Sequence, residues 1–115
     1  MTAAKLNIDE LEAGYPLFCK ALRLLILKGN SVKDIEKETT QVLKNLLALL
    51  NAGGAKAEDV IKTTIYLTDL KNFQTVNAIY SDFFKVAAPP ARACVEVSSL
   101  PKGVLVEIDC VAYLD

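Results

Sequence analysis

Two stretches of the chain repeat apolar residues at the spacing of an amphipathic helix. The first begins after Ser31, a predicted N-cap with Asp34 three residues later, and ends at Gly53-Gly54. Its apolar positions are Ile35, Thr39, Val42, Leu46 and Leu49, with Leu43, Leu47 and Leu50 widening the stripe. The second contains Phe73, Val76, Tyr80 and Phe84 and stops before Pro89-Pro90. The spacing therefore predicts two amphipathic helices.

Alternation of polar and apolar residues predicts three strands. The first lies between the helices, where Ile61, Thr63, Ile65 and Leu67 alternate with Lys62, Thr64, Tyr66 and Thr68. The segment "PPARACVEVSSLPKGVLVEIDC", residues 89–110, predicts two more strands that turn through Pro101, Lys102 and Gly103. Both helices are expected to cover one face of the resulting sheet, because each has a single apolar side.

The last two strands are predicted to pair as a hairpin with its ionisable groups on the face away from the helices. Those groups are Arg92, Cys94 and Glu96 on one strand and Glu107 and Asp109 on the other. Depending on turn length, Glu107 opposes Cys94 or Glu96, and Asp109 opposes Arg92 or Cys94. The residues expected to point toward the helices are Val95, Val97, Val104, Val106, Ile108 and Cys110. The polar face has two interpretations, a solvated surface or the lining of a site.

Residues 1–30 are less regular. The segment "YPLFCKALRLLILKGN" fits one hydrophobic helix after Pro16, or one or two short strands. The start, "MTAAKLNIDELEAG", lacks the pattern of a signal peptide, and no apolar run approaches the ~20 residues that span a bilayer. These features predict a cytoplasmic protein without a membrane partner.

Composition narrows the possible chemistry. With 115 residues, 52% of them hydrophobic, the chain is predicted to form a single domain, residues 1–115. A net charge of −1 without a basic cluster argues against a nucleic-acid partner. The absence of histidine removes Ser-His and Cys-His nucleophile pairs and the commonest metal ligand. Three cysteines without C-x-x-C spacing fit a reduced protein better than a disulfide scaffold.

Three side chains each have a structural and a functional interpretation. Arg92 is one of two arginines against eleven lysines, and it is either a surface residue paired with a carboxylate or a bidentate carboxylate ligand. Cys94 is either a small packing residue or a site wall. Asn77, on the apolar side of the second helix, is either a buried amide or part of a cleft. Glu96 is interpreted as a solvated or interfacial salt-bridging residue.

Several segments in the same order resemble the YjgF/Rid family of reactive-intermediate imine/enamine deaminases. They are "NSVKDIEKETTQVLKNLLALLNAGGAKAEDV", "VIKTTIYLTDLKNFQTVNAIYSDFF" and "ARACVEVSSLPKGVLVEIDCVA", and together they cover about residues 30–114. The resemblance implies an α+β, chorismate-mutase-like fold with two helices on one face of the sheet. It also implies a homotrimer in which the helix-free faces surround the threefold axis and sites lie between subunits.

The resemblance also implies an activity, the hydrolysis of 2-aminoacrylate and similar 2-imino acids to 2-keto acids and ammonia, without metal or organic cofactor. By matching positions, Arg92 grips the substrate carboxylate, Cys94 lines the cleft and Glu107 positions or activates water. Asn77 matches an asparagine on the second helix near the site, and Tyr15 is the candidate for a tyrosine that the family supplies to the cleft.

The N-terminal segment, residues 1–30, departs from the family pattern and looks about ten residues short. Gly14-Tyr15 is followed by Pro16-Leu17-Phe18 rather than by the family motif, and no residue matches a family serine. The family-like part is therefore residues 31–115. The alternative function is a non-catalytic trimeric protein that binds small carboxylates or another partner.

Overall fold

The structure is a computed structural model that describes residues 34–85 and 88–114, together with the backbone of residues 16–22. Its elements are β1 (Pro16–Leu22), α1 (Ile35–Ala52), β2 (Val60–Leu67), α2 (Phe73–Phe83), β3 (Ala91–Glu96) and β4 (Val106–Tyr113). The described strands form a four-stranded sheet, and the helices pack on one of its faces. The predicted α+β fold is confirmed, and residues 16–22 are a strand rather than a helix.

Helix α1 has its N-cap at Asp34 and not at the predicted Ser31. The Asp34 carboxylate accepts hydrogen bonds from the backbone N–H groups of Glu36 (3.0 Å) and Lys37 (3.3 Å). These amides have no partner inside the helix, so Asp34 supplies the acceptor that defines the first turn. The predicted C-terminal end is confirmed, because the helix stops at Ala52 and Gly54 adopts a φ of +81°, which favours glycine.

The sheet order is β1-β4-β2-β3, which contradicts the predicted hairpin. Strand β2 lies between β3 and β4, so the last two strands do not pair with each other. Strands β2 and β3 are parallel, whereas β4 runs antiparallel to both β1 and β2. The reason is topological: α2 connects β2 to β3, and a helical crossover returns the chain in the same direction.

The connection from β3 to β4 crosses the end of β2. The N–H of Val97 donates to the carbonyl of Leu67 (2.8 Å), and the N–H of Thr68 donates to the carbonyl of Leu105 (3.2 Å). The predicted turn is present, with Lys102 and Gly103 at positive φ values of 63° and 68°. It carries the chain over a neighbouring strand instead of joining two paired ones.

The helix-covered face of the sheet contains the core positions of β2 and β4. Its buried members are Thr63, Ile65, Leu67, Val106, Ile108, Cys110 and Ala112. The prediction that Val106, Ile108 and Cys110 are core residues is confirmed, and Val104 is also buried. They pack with α1 residues that include Val42, Leu43, Leu46 and Leu50.

The predicted orientation of β3 is wrong. In the parallel register with β2, Arg92, Cys94 and Glu96 lie beside Thr63, Ile65 and Leu67, which face the helices. Val95 instead lies beside Tyr66 on the helix-free face and is 42% exposed. Val97 lies beyond the end of β3 and is half-buried.

A register shift in β2 explains another departure from the predicted alternation. Val60 pairs with Ala112 and Lys62 with Val111, so Ile61 is the extra residue of a bulge. Ile61 is 52% exposed, while Val60 takes the buried position. From Thr63 onward the predicted alternation holds.

Candidate functional site

Arg92 lies on edge strand β3, on the helix-covered face, under one side of α2. The residues of α2 that meet it are Phe73, Asn77 and Tyr80, which share one side of a helix at i, i+4 and i+7 spacing. The guanidinium carbon lies 5.4 Å from the centroid of the Phe73 ring and 5.3 Å from that of Tyr80. Nη1 of Arg92 donates a hydrogen bond to Oδ1 of Asn77. Two cation–π contacts and one hydrogen bond therefore orient this guanidinium.

The Tyr80 ring is in turn held by its hydroxyl group. Its oxygen lies 2.6 Å from Oγ1 of Thr63 in a buried hydrogen bond, and the ring packs 4.8 Å from that of Phe84. Burial raises the pKa of Tyr80, although the hydrogen bond to Thr63 and the charge of Arg92 act in the opposite direction. The phenol is therefore neutral at physiological pH.

Cys94 follows Arg92 on the same face of β3. It is half-buried and packs against the hydrophobic core. Burial raises the pKa of the Cys94 thiol, and the positive charge of Arg92 offsets only part of that rise. Because a thiolate is the nucleophilic form of cysteine, this environment favours a packing or wall role over covalent chemistry.

Glu96 lies at the end of β3 and contacts the segment that leads into α2. Its Oε1 accepts a hydrogen bond of 2.8 Å from the N–H of Leu70, in the short turn before Phe73. Glu96 therefore has a described contact with the backbone, and its solvated or interfacial salt-bridging role stays a prediction. This contact fixes the start of the helix whose side chains surround Arg92.

Glu107 and Asp109 lie on the opposite, helix-free face of the sheet. Glu107 pairs with Tyr66 of β2 and is 3% exposed, and Oδ2 of Asp109 accepts a hydrogen bond of 3.1 Å from the Tyr66 hydroxyl. The predicted pairing of either carboxylate with Arg92, Cys94 or Glu96 is wrong, because β2 separates the two strands. One chain alone does not bring Glu107 to Arg92.

The structure therefore joins some of the predicted site residues and separates others. Arg92, Cys94 and Asn77 lie together, Glu107 lies on the other face, and Tyr15 is outside the described residues. Sequence reasoning placed Phe73 and Tyr80 in the apolar repeat of the second helix and Thr63 in the alternation of a strand, and it missed their association with Arg92. The available signal was the regular spacing of Phe73, Asn77 and Tyr80 around a polar residue in an apolar stripe.

The described parts of the chain contain neither a cluster of metal ligands nor a helix that could span a membrane. No group of three or more Cys, Asp or Glu side chains within residues 34–85 and 88–114 is arranged to hold a metal ion. No helix in the same part is both long and apolar enough to cross a membrane.

The sequence of the chain matches a family model over most of its length. The model, described as Endoribonuclease L-PSP, matches residues 27–114. The chain belongs to this family. The proposed YjgF/Rid resemblance is confirmed, since relatives in this family carry RutC, Rid and imine-deaminase names.

Two curated L-PSP relatives indicate how similar this chain is to named proteins. The RutC family protein slr0709 of Synechocystis is 54% identical over 81 residues, which are 70% of this chain and 62% of that protein. The 2-iminobutanoate/2-iminopropanoate deaminase of Salmonella typhimurium is 44% identical over 86 residues, 73% of this chain and 67% of that enzyme. This L-PSP chain spans less than two thirds of the length of the Synechocystis protein and of two Pyrococcus relatives.

A solved L-PSP-type structure supports the fold over a larger part of the chain. Escherichia coli TdcF with bound serine superposes with a TM-score of 0.80 at 32% identity, covering 91% of this chain and 85% of that one. That structure holds serine, a small amino acid, on a protein of the same fold. The four-stranded arrangement described above is therefore that of a known fold.

Proposed function

We propose that this chain hydrolyses reactive 2-imino and enamino acids, such as 2-aminoacrylate, to 2-keto acids and ammonia. The observation that carries the proposal is the oriented guanidinium of Arg92, which lies over the rings of Phe73 and Tyr80 and is hydrogen-bonded to Asn77. A planar guanidinium held in this way suits bidentate binding of a carboxylate. The deaminase name of the Salmonella relative supports the reaction class.

The proposed reaction needs little beyond orientation and a water molecule. 2-Aminoacrylate tautomerises to 2-iminopropanoate, whose C=N carbon is already electrophilic. Water adds to that carbon, and Glu107 takes one of the water's protons and returns it to nitrogen, which gives a carbinolamine. Glu107 then transfers the remaining hydroxyl proton to nitrogen, and the C–N bond breaks to release ammonia and pyruvate. Arg92 holds the carboxylate throughout, with Cys94 and Asn77 beside it and Tyr15 as a further binding residue. The mechanism uses neither a metal nor an organic cofactor.

The proposed site forms between two chains. Arg92 and Glu107 project from opposite faces of one sheet, so a ligand that touches both must lie between neighbouring subunits. The helix-free face carries Val95, 42% exposed, and Tyr113, 47% exposed, in the isolated chain. Large apolar side chains in such positions support a covered interface, as expected for the homotrimer implied by the family resemblance.

The test couples the protein to a serine or threonine dehydratase and follows 2-aminoacrylate with a trapping reagent. We expect faster formation of pyruvate or 2-oxobutanoate with the protein present, and loss of the acceleration in Arg92→Ala. The charge-matched control is Lys44→Ala, which removes an exposed positive charge from α1 and should leave the rate unchanged. A folded wild-type protein without any acceleration contradicts the proposal.

The alternative is a non-catalytic protein that binds small carboxylates. The observation that favours it is the separation of Glu107 from Arg92, because carboxylate binding by Arg92 requires only one chain. Binding of a 2-keto acid without turnover of the imine, again lost in Arg92→Ala, would support this alternative.

A further inference from the structure

A buried pair of hydroxyl groups lies directly behind the Arg92 cluster. Thr63 is opposite Arg92 in the register of β2 and β3, so both side chains leave the sheet toward α2. The Tyr80 hydroxyl meets Oγ1 of Thr63 at 2.6 Å, while the face of the same ring lies 5.3 Å from the guanidinium carbon of Arg92. Thr63 is fully buried and Tyr80 is 5% exposed. One side chain therefore contacts both the arginine and its strand neighbour.

This arrangement restricts the Tyr80 ring at two points. Its hydroxyl is fixed to the central strand, and its ring packs against Phe84 with centroids 4.8 Å apart. Arginine is a long side chain with several rotatable bonds, and β3 is an edge strand. The Tyr80 ring, together with Phe73, is the surface against which the guanidinium is held.

We propose that the Thr63–Tyr80 hydrogen bond positions Arg92 for carboxylate binding, which makes Thr63 and Tyr80 positioning residues rather than core residues alone. The inference rests on the proposed function in one respect, that the group bound by Arg92 is a carboxylate. Of the five guanidinium donors, one is directed to Asn77. The guanidinium carbon lies over the Phe73 and Tyr80 rings, and the donors that are not directed to Asn77 are those to which a planar carboxylate binds. A tilt of the Tyr80 ring rotates that edge away from the ligand.

The pair also selects for the charge of the ligand. A displaced guanidinium loses bidentate geometry with a carboxylate, whereas a neutral amide has only one acceptor oxygen at that end and forms no bidentate ion pair that could be lost. Disturbing the hydroxyl pair should therefore weaken carboxylates and leave their amides unaffected. A defect in packing alone would weaken both ligands equally.

The test uses Tyr80→Phe and Thr63→Val, which remove one hydroxyl each and keep the ring or the shape of the side chain. Affinity is measured by titration calorimetry with 2-oxobutanoate and with 2-oxobutanamide, and KM and kcat are measured in the coupled dehydratase assay. We expect both variants to bind 2-oxobutanoate about 3- to 10-fold more weakly, as for the loss of one hydrogen bond, with the amide unchanged. KM should rise more than kcat falls, and the double variant should be no worse than either single one.

Two further variants separate positioning from stability. Thr39→Val removes another buried hydroxyl, which donates to the carbonyl of Ile35 at 2.7 Å within α1, and should leave carboxylate affinity unchanged. Thr63→Ser keeps a hydroxyl at the same position and should restore most of the affinity lost in Thr63→Val. Thermal denaturation of each variant shows that it is folded.

Three outcomes separate this inference from the proposed function. Unchanged 2-oxobutanoate affinity in folded Tyr80→Phe and Thr63→Val overturns the positioning role, even if the wild-type protein is an active deaminase. A selective loss of carboxylate affinity without imine turnover by the wild type supports the positioning role and overturns the deaminase. Absence of 2-oxobutanoate binding by the wild-type protein overturns the inference.

Discussion

Arg92 and Glu107 project from opposite faces of one sheet, and strand β2 separates the strands that carry them. Arg92 lies under α2, whereas Glu107 is buried on the face that no described helix covers. The proposed hydrolysis needs both side chains at one ligand. Because the two side chains are separated within one chain, the proposed hydrolysis requires an assembly of chains.

Mixing two inactive variants should restore activity. Arg92→Ala retains Glu107, and Glu107→Gln retains Arg92, so a site between two different chains regains both groups. In a cyclic assembly with one site per interface, an equal mixture should reach about one quarter of wild-type activity, because about one interface in four is intact. The measurement is the coupled dehydratase assay on differently tagged, co-expressed chains.

Each variant alone is the control for the mixing experiment and should remain inactive at every protein concentration. The co-purified mixture must contain both tags, which shows that the chains assembled together. A mixed assembly as inactive as its parents would contradict a site shared between chains and would leave Glu107 outside the Arg92 site.

Arg92→Lys should not replace the arginine, although it preserves the charge. Lysine is a point charge without a planar fork, so it neither spans a carboxylate nor reproduces the contacts of a guanidinium with Phe73 and Tyr80. We expect kcat/KM to fall by about 10- to 100-fold, as for the loss of a charge-assisted hydrogen bond. Steady-state kinetics of the two proteins test this, and retention of activity within twofold would show that charge alone suffices.

Local sequence signals predicted individual elements well, because each is determined by contacts within a few residues. The apolar stripe that includes Val42 and Leu46 predicted α1, and the alternation of β-branched residues predicted β2 from Thr63 onward. The bulge at Ile61 was not predictable from alternation, since a bulge is defined by the partner strand. The cap at Asp34 depended on a choice between two residues that both cap helices well.

The strand pairing failed because adjacent strands in sequence were assumed to be adjacent in space. The strand–helix–strand order around α2 contained the contrary signal, since a helical crossover favours a parallel pair. Because of that one error, Arg92, Cys94 and Glu96 were predicted to lie on the helix-free face, whereas they lie on the face that the helices cover. Arg92 and Asn77 were singled out through the family resemblance, which depends on their positions in the sequence and not on the pairing of strands, and their role in a site stays a prediction.

Stability should depend on pH through Cys94. Burial raises the pKa of the Cys94 thiol in the folded chain, whereas in the unfolded chain the thiol has its ordinary pKa of about 8.5. As the pH rises, the unfolded chain therefore loses this proton at a lower pH than the folded chain. The contribution of Cys94 to stability is thus complete below the unfolded-state pKa and is lost as pH rises toward the folded-state value. Urea denaturation at pH 7 and pH 10 should show a larger loss for the wild type than for Cys94→Ala, which lacks the titrating group. Equal losses would mean that the thiol titrates alike in both states.

Leu46 is expected to make a large contribution to the stability of the core. It is fully buried in α1 and packs in the cluster that joins the helices to β2 and β4. Leu46→Ala removes apolar contacts and leaves a cavity, so the free energy of unfolding should fall by about 2–5 kcal/mol. The matched control is Leu70→Ala, since Leu70 is 46% exposed and its described hydrogen bond to Glu96 uses the backbone N–H. We expect the control to change the unfolding free energy by less than about 0.5 kcal/mol in urea denaturation. A loss in Leu70→Ala as large as that in Leu46→Ala would contradict the exposed position of Leu70, because it would mean that this side chain has a buried contact in the assembled protein.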